Sequence, residues 1–248
     1  MTAAERPPSP ASVAAIERRR ALFDGLAVVG KALGSPRRLE LMDLLAQGER
    51  TVESLARTAD MGLTSVSAHL QVLKLANLVA TRREGTKVYY RLAGDDVADV
   101  YDRLRTVALH RSADVDRARA AYLGLPGDSE VGTLSREELV ELMRNEQVTL
   151  LDVRPCEEYR AGHIPGAVSV PLSALPDDAK LLRKAQQVVT YCRGSFCVMA
   201  HDAVRLLAAS GVAARRLEDG MLEWRTHGHP VETGLVENRE VENGEVSV

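Results

Sequence analysis

The chain has 248 residues and a mass of 27.0 kDa, and it is 45% hydrophobic and 27% charged. This globular composition excludes a wholly disordered or fibrous chain, and the length suits two domains of roughly 100–150 residues each. The net charge of −3 conceals a split: residues 1–125 carry 19 Lys/Arg against 15 Asp/Glu, and residues 126–248 carry 13 against 20, so a polyanion is expected on the first half.

No apolar run approaches the ~20 residues needed to cross a bilayer, and the polar opening MTAAERPPSP lacks a signal-peptide pattern. No membrane partner is expected. Three cysteines, at 156, 192 and 197, are too few for a disulfide framework and suggest a reducing, cytoplasmic setting. The clearest punctuation is GLPGDSEVG, Gly124 to Gly132, which places a boundary between a domain over 12–123 and another over 132–235. The first ten residues and the tail from about Val236 have too little apolar pattern to require a fixed fold.

Residues 12–33 read as a helix with Ile16, Leu22, Phe23, Leu26, Val29 and Leu33 as its apolar stripe. Ser35 and Pro36 start a second helix, whose buried face is Leu39, Met42 and Leu45 and which Gly48 ends. A short helix from Val52 to about Asp60 is followed by the turn Met61-Gly62-Leu63. Another helix, capped by Thr64, then runs to about Ala76. Val66, Leu70 and Leu73 lie on its core side. Thr64, Ser67, Ala68 and Gln71 lie opposite, with Ser65 at the exposed start. Small, hydrogen-bonding side chains of this kind suit the base edges of a major groove, although they also suit a face that simply meets water.

Ala80 to Leu92 reads as two strands joined by a Glu-Gly turn, with Arg82, Arg83, Lys87 and Arg91 clustered around it. A basic hairpin beside a helix-turn-helix makes a wing that can grip phosphate or a minor groove. The run GLTSVSAHLQVLKLANLVATRREGTKVYYRL resembles the recognition helix and wing of the ArsR family of bacterial winged-helix repressors, and the resemblance extends over about residues 15–120. It implies a homodimer on an inverted-repeat, double-stranded DNA site, joined through its first helix and a helix over 95–122. Val97, Val100, Leu104, Val107, Ala108 and Leu109 would supply contacts, extended by Tyr122 and Leu123.

Many such repressors sense metals. Residues 1–125 contain no cysteine, which excludes a thiolate metal site or a dithiol sulfide sensor there. His110 and Asp114 form an i,i+4 pair with Asp102 two turns upstream, but no second histidine completes a set. His69 reads as a packed or capping residue, so no metal or cofactor is expected.

In the second half, Leu134–Met143 reads as a helix, and Val148–Val153, Ala167–Val170, Val188–Tyr191 and Ala213–Leu217 read as strands. A further helix covers Val198–Ala209. Alternating elements of this kind imply a mainly parallel sheet covered on both faces. The fold class is therefore a mainly α winged helix-turn-helix followed by an α/β domain. Cys192 stands between a strand and a helix at the carboxyl edge of the sheet, where loop amides and the helix start favour a thiolate. Arg193 is expected to add positive charge, and Gly194 and Ser195 permit a tight turn.

The segments DVRPCEEYRAGHIPGAVSVPL, VTYCRGSFCVMAHDAVRLLAASG and GMLEWRTHGHPVE resemble a rhodanese domain over about residues 132–235. That resemblance implies sulfane-sulfur transfer through a persulfide on Cys192. Asp152, Arg154, Glu158 and His163 match the earlier motif, Arg154 and His163 as loop support, and Arg193, Gly194, Ser195, Phe196 and Cys197 form the rest of the loop. The usual loop ends in arginine, with glycine two positions earlier; here those positions hold Cys197 and Ser195. Losing that guanidinium weakens the case for rapid thiosulfate turnover, so enzymatic sulfurtransferase activity stays open.

Cys197 offers a route from a Cys192 persulfide to a disulfide or trisulfide, or else it only packs at the helix start, and Cys156 is a weaker candidate at the same mouth. A cysteine-dependent phosphatase would need arginine at 198, which is Val198. The leading expectation is a repressor whose rhodanese-like domain senses or transfers reactive sulfur from a small-molecule or protein persulfide donor. The alternatives are a constitutive repressor with a degenerate, interaction-only rhodanese domain, and a sulfurtransferase with a winged-helix dimerisation module.

Overall fold

The computed structural model describes residues 10–124, 132–179, 182, 185, 187–234, 241–242 and 245–246. Most of the linker read at 124–132 and part of the tail lie outside the described residues. Contacts divide the chain into two compact units, residues 1–43 with 50–93, and residues 44–49 with 94–248.

The first unit is built on α1 (Pro10–Leu33), α2 (Pro36–Leu45, which runs into the second unit), α3 (Val52–Thr58) and α4 (Leu63–Leu75). A small antiparallel sheet joins them, with β1 (Arg50–Thr51), β2 (Val79–Glu84) and β3 (Lys87–Leu92) in the order β1-β3-β2. Met42, Leu55, Val66, Leu70 and Leu73 are completely buried, which is the helical period written in the sequence. Thr51 caps α3 by accepting from Ser54 N.

The cap expected from Thr64 is not used. Gly62 is the N-cap of α4 and Thr64 lies inside the helix, which begins two residues earlier than the turn pattern suggested. Asn77, at φ +56, lets Leu78 N reach back to Leu73 O at 2.9 Å, a left-handed helix ending. The α1 stripe is not core: Leu22, Phe23 and Leu26 are 56–63% exposed.

The second unit contains α5 (Asp95–Arg111) and α6 (Ala113–Leu123). The single helix expected over 95–122 is broken because Ser112 leaves helical geometry and its Oγ accepts from Val115 N, starting α6. Five strands follow: β4 (Thr133–Leu134), β5 (Thr149–Asp152), β6 (Val168–Ser169), β7 (Val188–Tyr191) and β8 (Ala214–Leu217). They form a wholly parallel sheet in the order β4-β8-β7-β5-β6.

The helix expected from Leu134 instead begins after a capping box at Ser135–Glu138, giving α7 (Arg136–Arg144) and freeing Thr133–Leu134 to extend the sheet. Also present are α8 (Cys156–Ala161), α9 (Leu175–Asp178), α10 (Met199–Ala209) and α11 (Met221–Thr226). Leu151, Val153, Val188, Ala203 and Leu207 form one core cluster; Leu139, Ile164, Val189, Tyr191 and Trp224 form another. In the tail, β9 (Val241–Glu242) and β10 (Glu245–Val246) make one short ladder. No helix among the described residues is long and apolar enough to cross a membrane.

Candidate DNA face and cysteine loop

The first unit presents polar groups on α4 and charge on the hairpin. Thr64, Ser65, Ala68 and Gln71 are exposed and Ser67 is half-buried, while Val66, Leu70 and Leu73 hold the opposite side. His69 is half-buried. Gly85, at φ +57, makes the turn between β2 and β3, a conformation that glycine adopts without penalty. Cross-strand pairing puts Arg82 opposite Tyr89 and Arg83 opposite Val88, so the two arginines face opposite sides of the ribbon.

Arg82 is bonded to Glu84 at 2.6 Å and lies 4.7 Å from the Tyr89 ring centre. Arg91 donates to Leu92 O. Arg83 and Lys87 are exposed. Lys74, which the sequence pattern did not single out, is exposed on the same helix and donates to Thr81 Oγ1 at 3.5 Å.

In the second unit, Asp152 at the end of β5 anchors a buried network. Its carboxylate accepts from Arg154 N and Nε at 3.0 Å, from Arg154 Nη2 at 2.5 Å and from Tyr191 Oη at 2.7 Å. Arg154 also donates to Gly162 O and to Gln47 Oε1. Both Asp152 and Arg154 are completely buried. The Arg154 guanidinium is held in its charged form because Asp152 outweighs the cost of burial. His163 stacks on Tyr159 with 3.7 Å between ring centres and contacts Tyr159 O through Nδ1. Its backbone bridges to Glu232.

Cys192 leaves β7 and is 2% exposed. The loop after it folds over the turn that starts α11: Met221 N donates to Cys192 O and Leu222 N to Arg193 O. A Cβ on Gly220 would fall 2.4 Å from Gly194 N, so this approach requires glycine. Arg193 does not stand over the cysteine as a loose cation. Its guanidinium grips the buried Glu158 through bonds of 2.6–3.0 Å. The positive charge expected for the sulfur is therefore shared with a carboxylate.

The two loop thiols interact. Cys192 Sγ donates to Cys197 O at 3.5 Å, and the thiols share a hydrogen bond. Burial pushes the Cys192 thiol well up, while the hydrogen bond from Cys192 pulls Cys197 down. Cys197 is thus the more acidic sulfur of the two, the reverse of the electrostatics read from the strand–loop–helix pattern. Cys156 is exposed at the start of α8 and accepts weakly from Ser169 Oγ at 4.0 Å. It has no hydrogen bond to either loop cysteine among the described residues.

Four further residues bear on the loop without having stood out in the sequence. Arg105, Glu223 and Gln47 bond to it. His201, one turn after Cys197, is 4% exposed, and neither ring nitrogen has a hydrogen-bond partner among the described residues. Burial and the Arg216 charge lower its pKa to about 4. No group of three His, Cys, Asp or Glu side chains among the described residues is arranged to hold a metal ion.

The pattern described as "Bacterial regulatory protein, arsR family" matches residues 35–81, and that of the rhodanese-like domain matches residues 135–227. An HTH-type transcriptional regulator of Mycobacterium tuberculosis is 50% identical over 218 residues, which is 88% of this chain and 95% of that protein. The chain is an arsR-family regulator with a rhodanese-like domain. As a family member it is a DNA-binding transcriptional regulator. A biofilm growth-associated repressor of Agrobacterium fabrum is 39% identical over 82 residues, 33% of this regulator and 70% of its own length. A homodimeric winged helix-turn-helix domain from Mycobacterium bovis, solved by NMR, is 46% identical, with a TM-score of 0.38. It covers 44% of this regulator and 95% of that chain.

Proposed function

We propose that this regulator is a cytoplasmic repressor whose DNA affinity answers to reactive sulfur taken up at Cys192. On the DNA side, the exposed Thr64, Ser65, Ala68 and Gln71 would meet base edges, while Arg83 and Lys87, aided by Arg82 and Arg91, meet phosphate. Exposed apolar residues on α1 (Leu22, Phe23, Leu26) and on α5 (Val100, Val107) support a homodimer, and hence an inverted-repeat site.

The observation that carries the sulfur reading is the placing of two cysteines on one loop, with Cys192 Sγ donating to Cys197 O at 3.5 Å. In the loading step, sulfur of Cys192 attacks a polysulfide such as the tetrasulfide dianion. A new S–S bond forms, the donor's S–S bond breaks, and hydrotrisulfide leaves with the electron pair and the cysteine proton. Cys197, as the more acidic neighbour, relays that proton. In a slower second step the Cys197 thiol attacks the Cys192 sulfur of the persulfide anion and passes its proton to the departing sulfur, forming a Cys192–Cys197 disulfide and expelling hydrosulfide; no further oxidant is required.

Burial of Cys192 favours the rival reading of an interaction-only domain, and one experiment separates the two. After brief exposure to sodium tetrasulfide, before the disulfide closes, intact-protein mass should rise by about one sulfur, cyanide should remove it as thiocyanate, and Cys192→Ser should take up none while still shifting duplex DNA. Equal modification of Cys192→Ser would overturn Cys192 as the acceptor.

A further inference from the structure

The loop between the two cysteines is held by side chains that precede the rhodanese-like segment in the chain. Arg105 is the main one. It lies on α5, the helix that follows wing strand β3 after only Ala93 and Gly94. Arg105 is 5% exposed, and its Nη2 donates to Ser195 Oγ at 3.0 Å and to Glu223 Oε1 at 3.1 Å. Its guanidinium carbon lies 4.4 Å from the Phe196 ring centre.

Glu223 completes the clasp by accepting from Ser195 N at 3.0 Å and from Gly220 N at 3.1 Å. The fit is close: a Cβ on Gly194 would lie 2.7 Å from Glu223 Oε2 and 3.2 Å from Arg105 Nη2. One turn before Arg105 on the same helix, Asp102 Oδ2 accepts from Thr226 Oγ1, tying α5 to α11 a second time. Gln47, completely buried just after α2, donates to Arg193 O at 3.3 Å and accepts from Arg154. Residues 193, 195 and 196 are thus all touched from positions earlier than 112.

We infer that Arg105, seconded by Gln47, is the positioning residue through which the sulfur state of the Cys192–Cys197 loop sets the DNA affinity of the regulator. The inference rests on the sulfur-uptake reading above. Adding a sulfur to a buried cysteine, or drawing two cysteines five positions apart to disulfide distance, must move residues 193–196. Those residues cannot move alone. A nearly fully buried ion pair resists separation, so Arg105 carries the displacement into α5, and α5 continues directly from the wing. A lone charge in the loop would give no such connection; the planar guanidinium does, because it bonds to hydroxyl and carboxylate and stacks on an aromatic ring at once.

The test uses the full chain, sodium tetrasulfide and a duplex of its own upstream DNA, with adduct at Cys192 verified by mass. Wild type should change its DNA affinity by roughly 5–150-fold on loading, the usual range for coupled sites. By reciprocity, saturating DNA should change sulfur loading by the same factor. In Arg105→Met, with Cys192 loaded, both ratios should fall towards one, and Arg105→Lys should restore only part of the response. A purely structural role would not move two reciprocal ratios together.

Ser195→Ala removes one bond without stranding a buried charge, so it keeps the question answerable if Arg105→Met fails to fold; its response should be reduced several-fold. A wild-type response in loaded Arg105→Met or in loaded Ser195→Ala would overturn the role of Arg105 while leaving sulfur sensing intact. Wild type that takes up no sulfur, or takes it up with unchanged DNA affinity, would overturn the sensing reading and this inference with it.

Discussion

Arginine does opposite work in the two units. On the hairpin of the first, Arg83 stands exposed beside Lys87, and Arg82 pairs with a solvent-facing Glu84. Around the cysteine loop of the second, Arg154, Arg193 and Arg105 are each locked to a carboxylate that is itself nearly or fully buried: Asp152, Glu158 and Glu223. An exposed guanidinium keeps its hydration and can exchange it for phosphate. A buried one has already been neutralised, and its value lies in geometry. The same residue type therefore marks a ligand-facing surface in one unit and a scaffold in the other.

The sharpest way to break this contrast is to remove a scaffold arginine. Arg154→Met leaves Asp152 charged, buried and stripped of its main partner, with Tyr191 its remaining side-chain donor among the bonds described. A loss of about 3–5 kcal/mol is expected, since an uncompensated buried charge is among the most destabilising changes. Urea denaturation of wild type and variant would measure it. A change below about 1 kcal/mol would mean that the network is wetter or more adaptable than its geometry implies.

How much of this was legible beforehand follows from the kind of signal each feature leaves. Helix faces with a 3.6-residue period, such as Val66, Leu70 and Leu73, could be read directly. So could the strand carrying Cys192, because both encode themselves in local spacing. The helix break at Ser112 and the true start of α7 turned on single capping hydroxyls, which resemble any surface serine until their donors are in place. Arg105 was illegible as a loop residue: in sequence it is one basic position on a polar helix, and only its packing against Glu223, Ser195 and Phe196 gives it meaning. The proton order within the thiol pair was missed for a related reason. The strand–loop–helix pattern shows where Cys192 sits, but not that it is more deeply buried than Cys197.

A smaller effect sharpens the comparison through pH. His201 is buried among charges on α10 and β8, facing Arg216 and Arg205 with Asp202 nearby, and its pKa falls from 6.5 to about 4. Above pH 6.5 the histidine is neutral in folded and unfolded chains alike, so its contribution is fully present. Between 6.5 and 4 the unfolded chain takes up a proton that the folded chain refuses, and stability falls as pH falls. With solvent screening allowed for, the loss should reach up to about 2 kcal/mol. Denaturation series over this range should show a shallower acid limb in His201→Gln than in wild type, and identical limbs would remove His201 as the cause.

The smallest energetic change is expected on the exposed side, and it is best detected by its dependence on salt. Arg83→Ala removes an exposed side chain, so stability should change by no more than about 0.5 kcal/mol. DNA binding should weaken by about 1 kcal/mol at physiological salt. The slope of log affinity against log salt should lose about 0.9, because one fewer counterion is released. Gln71→Ala should behave differently. It removes a neutral hydrogen-bonding group from α4, so the salt slope should hold while discrimination between the preferred duplex and single-base variants narrows by about 1–3 kcal/mol. Mobility-shift titrations at several salt concentrations distinguish the two outcomes. If Arg83→Ala instead lowered stability and left the salt slope unchanged, this arginine would belong with the scaffold group, and the assignment of the hairpin to phosphate would fall.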